Sequence, residues 1–401
     1  MADLELIRGL LAPADSTILL LVLDGLGGLP ASRGGPTELE AASTPNLDGL
    51  AAEGVTGLHE PVGPGIIPGS GPGHLGLFGY DPLKYQIGRG VLEALGVGFE
   101  LETGDLAVRG NFCTVDAGGI ITDRRAGRIP TERAKELTEE LAGIDLPGVQ
   151  VFVEPVREHR FLLVLRGEGL HEELADTDPG QVGRAPLEAI AESAEARATA
   201  DLINRFVDEA RERLVGRDPA NMIILRGFAR RPDWPLFSDV FGLRSVAVAH
   251  YPMYRGVARL LGMEAVEAGA SLEELFSALE DVWSDFDFAF VHVKETDEAG
   301  EDGAFDRKVS AIEDVDRYIP RILALEPDVV MVTGDHSTPA VLRSHSWHPV
   351  PILLRSLTAR PDSSNKFGER DCLQGGLGLR RAEDLMPLAL AHAGRLAKFG
   401  A

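Results

Sequence analysis

Residues 17–28, TILLLVLDGLGG, decide how the fold is read. Thr17 to Leu23 is an unbroken apolar run that stops at Asp24 and Gly25. A run of this length with a glycine break predicts a strand buried on both faces, as in a parallel sheet, and is far too short to span a bilayer. Similar runs recur at Ser245 to Ala249, at Asp287 to Val293 and at Asp328 to Thr333. Helix signals lie between and around them, over residues 4–11, 45–54, 271–281 and 305–324. Pro45 stands at the first position of the second of these, behind Ser43 or Thr44 as cap. Strands alternating with helices predict an α/β fold with a mostly parallel sheet. From about residue 96 the texture changes to shorter runs such as Phe161 to Leu165, a long helix over residues 187–214, and a short strand from Asn221 to Leu225. The domain reading is therefore 1–95 with 243–401 as one discontinuous α/β domain, and 96–242 as a smaller inserted α+β domain.

The chain carries 39 basic and 63 acidic residues, a formal net charge of −24. Binding nucleic acid or an anionic membrane would want a basic footprint, so neither is expected as a partner. A small anion is still admissible where arginines and bound cations converge. Cys113 and Cys372 lie far apart in no CxxC pattern, which argues against a thiolate zinc site or a disulfide framework. With no basic-then-apolar leader at the start of the sequence, the cytoplasm is the expected location.

Three strand-like runs exit into acidic residues: Asp24, then Asp297 after Lys294, then Asp335 beside His336. In open α/β sheets ligands bind outside the carboxyl ends of strands, so these exits place metal-capable side chains along one rim. Each aspartate alone would pass as turn chemistry. His345 and His348 follow shortly downstream, and imidazole with carboxylate suits zinc or manganese. Ser70 stands in PGSGPGH, residues 68–74, a loop that serves equally as a flexible surface segment or as the bed of a nucleophile approached by phosphate and metal. There is no GxSxG elbow and no GxxxxGK[ST] loop. Arg109, Asp123, Arg124, Arg125 and Arg128 crowd one part of the inserted section, as a solvated face or as an oxyanion clamp.

Together the stretches LVLDGLGG (21–28), STPNLD (43–48), PGSGPGHLGLFGYDP (68–82), GRGVLEALGVG (88–98), RGNFCTVD (109–116), TDRRAGRI (122–129), DTDPG (176–180), VHVKETDEAG (291–300) and VTGDHSTP (332–339) resemble the archaeal-type 2,3-bisphosphoglycerate-independent phosphoglycerate mutases of the alkaline phosphatase superfamily. The resemblance implies an alkaline-phosphatase-like domain with an inserted substrate-binding domain that closes over the site. It implies a small phosphorylated metabolite, phosphoglycerate, as substrate. It also implies two divalent metal ions, manganese ahead of magnesium, zinc or cobalt, and no bisphosphoglycerate. On the family's pattern Asp24, Ser70, Asp335 and His336 surround one metal, and Asp297 and His345 hold the other. Ser70 becomes the phosphoryl acceptor. Arg109, Asp123, Arg124, Arg125 and Arg128, with Lys294, become the grip on substrate. Glu301 stands where the family usually has a histidine, and as a ligand it would make that site harder and more favourable to manganese or magnesium. A phosphohydrolase or phosphotransferase for another small phosphometabolite, and a non-catalytic metal-binding relative, are the alternative readings.

Overall fold

The computed structural model describes residues 3–400. The chain first lays down β1 (Ile18–Leu23) and β2 (Val55–Glu60). It then builds β3 (Leu106–Val115), β4 (Ile121–Asp123), β5 (Val149–Arg157), β6 (Arg160–Gly167) and β7 (Met222–Arg230). It returns with β8 (Ser245–Ala249), β9 (Glu264–Glu267), β10 (Phe288–Val293), β11 (Val329–Thr333), β12 (Val350–Ser356) and β13 (Gly378–Arg381). Two compact units result, residues up to Gln86 with those from Trp234, and Ile87–Asp233.

The first unit is an eight-stranded sheet in the order β13-β2-β12-β11-β1-β10-β8-β9. Strands β11, β1, β10, β8 and β9 run parallel to one another, and β12 lies antiparallel to both its neighbours, β11 and β2. All six residues of β1 are buried. Leu19, Leu21 and Leu23 share a core with Leu47, Leu50, Phe276 and Ile312 from flanking helices. The alternate side chains Ile18, Leu20 and Val22 are buried as completely, which is why the run reads apolar at every position. Each such side chain contributes roughly 1.5–3 kcal/mol of transfer free energy. Because β10 and β11 pair with β1 on either side, the segments that follow all three strands emerge at one edge of the sheet. No helix among the described residues is long and apolar enough to cross a membrane.

The second unit is antiparallel. Strand β3 pairs with β6, β7 and, at its end, β4, and β5 pairs with β6. Gly110 in β3 leaves room for the Phe161 ring, since a Cβ there would stand 2.2 Å from ring carbons. Its core draws Leu137 and Leu141 from the helix Thr131–Ala142, and Ile203 and Phe206 from the helix Arg197–Arg213.

Three expectations need adjustment. The unit boundaries fall at Gln86 and Asp233 rather than 95 and 242, because the helix Arg89–Gly96 seats on the second unit's sheet. There Gly90 lies against the backbone of Ala107 so closely that a Cβ would be 2.0 Å from its carbonyl oxygen. The long helix begins at Arg197 rather than 187, because Asn204 uses its amide to hold the backbone N–H and C=O of Ala189 in an extended segment. The helix over 305–324 is two, Phe305–Asp316 and Ile319–Ala324, with Pro320 in the first turn of the second.

Candidate metal centre

Asp24 follows β1, Asp297 is the fourth residue after β10, and Asp335 and His336 follow β11; all four are buried. Asp24, Asp335 and His336 bring ligand atoms within 4.8 Å of one another, and Asp297, His336 and His345 form a second such group. His336 belongs to both. Its Nε2 lies 3.2 Å from Asp24 Oδ1 and 3.3 Å from Asp335 Oδ2. His345 stacks on His336 with ring centroids 3.7 Å apart, and its Nδ1 meets Pro68 O at 2.9 Å. That leaves His345 Nε2 turned toward Asp297 Oδ1 at 3.7 Å. Glu301 approaches the same nitrogen at 3.8 Å from the exposed side without joining either group. His348, the other candidate of its pair, faces Ser346 Oγ instead.

Ser70 is the first residue of the helix Ser70–Leu77, and its Oγ lies 3.4 Å from His336 Nε2. The glycines around it admit backbone: a Cβ on Gly73 would stand 2.4 Å from Asp335 O. Gly25, at φ +66°, would carry a Cβ 2.6 Å from Thr338 Oγ1 and 2.8 Å from Asp297 Oδ1. His74, one turn after Ser70, reaches Ser70 O at 2.8 Å and Asp335 Oδ2 at 3.2 Å.

Asp24 Oδ2 is the hub of a second layer. It accepts from the Tyr254 hydroxyl, from His292 Nε2 at 3.1 Å and from Lys294 Nζ at 3.0 Å. Lys294 also reaches Asp297 Oδ2 at 2.5 Å, so one ammonium bridges the two carboxylate groups. Burial opposes ionisation of Asp24, but the His292 hydrogen bond and the Lys294 charge hold its carboxyl well below the usual range. Burial pushes the Tyr254 phenol up, and the charge on Asp24 adds to it. Burial pushes His336 down, which favours the neutral imidazole a metal requires.

The donor set fits a cation. Asp24 Oδ1 and Asp335 Oδ2 are buried and without a well-formed hydrogen bond: the His336 nitrogen beside them lacks hydrogen-bond geometry, and His74 Nδ1, 3.2 Å from Asp335 Oδ2, sits closer to Ser70 O at 2.8 Å. Buried carboxylate oxygens without a donor are costly, and a divalent ion would satisfy both.

In the inserted unit Arg124 forms a two-pronged pair with Asp178, Nε to Oδ1 at 3.0 Å and Nη2 to Oδ2 at 2.6 Å. Asp123 accepts from the backbone of Arg125 at 2.8 Å and of Gly127 at 2.7 Å, shaping the loop that presents exposed Arg125 and Arg128. Arg109 sits opposite Arg226 across β3 and β7. Both Nε atoms are buried and make no hydrogen bond, as is the case for Asn111 Oδ1 on the same face of β3, although Arg109 Nε lies 3.7 Å from Glu93 Oε2. Burial, and then the neighbouring Arg160, Arg226 and Arg89, lower the Arg109 pKa against the pull of Glu93.

A family model for 2,3-bisphosphoglycerate-independent phosphoglycerate mutase matches residues 51–221. The curated Aquifex aeolicus protein named "Probable 2,3-bisphosphoglycerate-independent phosphoglycerate mutase" is 50% identical over 99% of this chain and its own full length. The chain belongs to this mutase family. A similarly named Thermus thermophilus relative is 50% identical over 96% of each chain. Among solved structures, the cofactor-independent phosphoglycerate mutase of Thermoplasma acidophilum is 31% identical with a TM-score of 0.78, covering 94% of this chain and all of that one. A Pyrococcus horikoshii protein is 30% identical with a TM-score of 0.79, covering 96% and 99%.

For this mutase-family chain, reasoning from sequence named the strand-exit residues but missed Tyr254, His292, His74 and Thr338, and in the insert Arg226 and Asn111. His292 had a local signal, as a histidine inside the otherwise apolar FAFVHV of β10. Tyr254 sits on the helix Pro252–Leu260, 230 positions from its partner Asp24, and had none.

Proposed function

We propose that the chain interconverts 3-phosphoglycerate and 2-phosphoglycerate without bisphosphoglycerate, through a phosphoserine at Ser70. The observation that carries this reading is the placement of Ser70 Oγ 3.4 Å from His336 Nε2, beside the unpaired buried oxygens of Asp24 and Asp335. Asp24, Asp335 and His336 would hold one divalent ion near Ser70, and Asp297 and His345, with Glu301 at the rim, the other. These ions would supply positive charge on phosphoryl oxygens and favour the ionised serine. Carboxylates outnumber imidazoles in this set, which favours manganese over zinc.

Ser70 Oγ attacks phosphorus, the bond from phosphorus to the substrate's C3 oxygen breaks, and that oxygen leaves as the glycerate hydroxyl. The C2 hydroxyl then attacks the phosphoserine, and Ser70 is regenerated. As the first residue of its helix, Ser70 places the developing negative charge at the positive end of the helix dipole. Lys294 keeps Asp24 and Asp297 aligned. Arg109 and Arg226 are like charges facing each other across a strand pair, with Glu93 3.7 Å from Arg109, so that an anion would be favoured beside them. Exposed Arg125 and Arg128 are further candidates for the grip, while Arg124 is spent on Asp178. A soluble cytoplasmic enzyme of glycolysis follows from this reading.

The test is to supply manganese and 3-phosphoglycerate and follow 2-phosphoglycerate and free phosphate together. Isomerisation should dominate, radiolabel from substrate should appear on Ser70, and Ser70→Ala should abolish both. Phosphate release in place of isomerisation would make the chain a phosphohydrolase, and activity retained by Ser70→Ala would overturn the nucleophile.

A further inference from the structure

One hydroxyl joins the two ligand groups. Thr338 Oγ1 lies 2.7 Å from Asp297 Oδ1 and 3.0 Å from His336 Nδ1. The Asp297 carboxylate, paired with Lys294, can only accept, so the single hydroxyl proton of Thr338 points to it. The hydroxyl oxygen then has a lone pair for His336, and Nδ1 must carry the proton. A neutral imidazole protonated at Nδ1 has its lone pair at Nε2. That is the nitrogen that faces Asp24 Oδ1, Asp335 Oδ2 and Ser70 Oγ.

Thr338 is itself held with little freedom. Its backbone N–H donates to Gly25 O at 3.2 Å and Gly27 O at 3.0 Å, in the loop that follows Asp24. The Lys308 ammonium, fully buried, donates to the carbonyl oxygens of Gly25 at 2.8 Å, Gly27 at 3.1 Å and Thr338 at 2.9 Å, spending all three of its protons. Gly300, in the helix that bears Asp297, presses so close that a Cβ would stand 2.2 Å from Thr338 O. Two ligand-bearing segments, those of Asp24 and Asp297, thus converge on a threonine in the segment that bears His336.

We propose that Thr338 is a positioning residue for both cation sites at once: it fixes the His336 tautomer for one and the Asp297 rotamer for the other. The proposal rests on the metal-binding reading above. Outer partners of metal ligands typically account for about 10–100-fold in metal affinity. A group serving one site would weaken one binding step, whereas this hydroxyl should weaken two.

The experiment has two arms. Manganese is titrated calorimetrically into metal-free protein, as the unsubstituted chain, Thr338→Val and Thr338→Ser. Valine keeps the shape and removes the hydroxyl; serine keeps the hydroxyl. Both binding steps should weaken roughly 10–100-fold in Thr338→Val, and Thr338→Ser should restore them. Nitrogen-15 NMR of the metal-free, histidine-labelled unsubstituted chain forms the second arm, and should find His336 protonated at Nδ1 and bare at Nε2. A proton on Nε2, or a Thr338→Val isotherm that matches the unsubstituted one or loses a single step, would overturn the proposal. Should the unsubstituted chain bind fewer than two manganese ions, the metal reading is what fails, while the tautomer still decides the Thr338 link.

Discussion

Replacing Lys294 by methionine tests the electrostatics of the centre most directly. Its ammonium joins Asp24 Oδ2 at 3.0 Å to Asp297 Oδ2 at 2.5 Å, and both carboxylates are buried. Removing one partner of a buried ion pair costs about 3–5 kcal/mol, because the remaining charge is stranded. Lys294 keeps a fifth of its side chain in solvent, so the lower end, about 3 kcal/mol, applies. At roughly 2–4 °C per kcal/mol for a domain of about 250 residues, the metal-free melting temperature should fall by roughly 6–12 °C. Manganese at about 100 times its Kd stabilises by about 2.7 kcal/mol per site, and it neutralises the same carboxylates that Lys294 does. The variant should therefore gain more from manganese than the unsubstituted chain, shrinking the gap to less than half. Calorimetric melts in a chelator and in excess manganese measure this. An equal gap in both conditions would refute the reasoning, since the lysine and the ions would then act on different charges.

Glu369 offers a separate pH test. Burial raises its carboxyl to about 7, against hydrogen bonds from Thr37 and Gly28. A raised folded-state pKa gives stability that is complete below about pH 4.5 and lost as pH climbs through 7. Glu369→Gln should thus match the unsubstituted chain at pH 4.5 and exceed it at pH 8. The full shift would be worth roughly 3 kcal/mol, and about 2 is expected because the residue keeps some solvent contact; a pH-independent difference in denaturant melts would contradict it. Arg109→Met should relieve the like charge opposite Arg226 but strand Glu93, 3.7 Å from its Nε, so the two stability effects oppose each other, while the KM for 3-phosphoglycerate rises at least about tenfold, the loss of one charge-assisted contact. Initial-rate kinetics with an unaltered KM would remove Arg109 from the anion grip.

Much of the first unit could be read from local pattern. The apolar runs of β1, β10 and β11 marked strands buried on both faces, and the aspartate at each exit marked the rim, because the parallel sheet aligns carboxyl ends regardless of sequence separation. Glycine spacing around Ser70 signalled close approach, though what approaches Gly73 is the backbone of Asp335. Tyr254 and Lys308 could not be read in this way. Each sits on an ordinary amphipathic helix, and its partner, Asp24 or the carbonyls of Gly25 and Gly27, is fixed by tertiary packing alone. In the insert the arginines were visible as a cluster, but the opposition of Arg109 and Arg226 depends on β3–β7 register, which composition does not encode.

The central seat of β1 also bears on how the chain is made. It is synthesised well before its partners β10 and β11, which begin only at Phe288 and Val329. Throughout translation of the intervening insert, ILLLVL has neither edge paired by its final neighbours, and segments of that composition stack readily on copies of themselves. The insert, whose strands pair among themselves, can reach its own core in the meantime. The ribosome-bound interval before Phe288 emerges is thus the window in which β1 is most exposed to self-association, and a stall there should yield aggregates seeded at that strand.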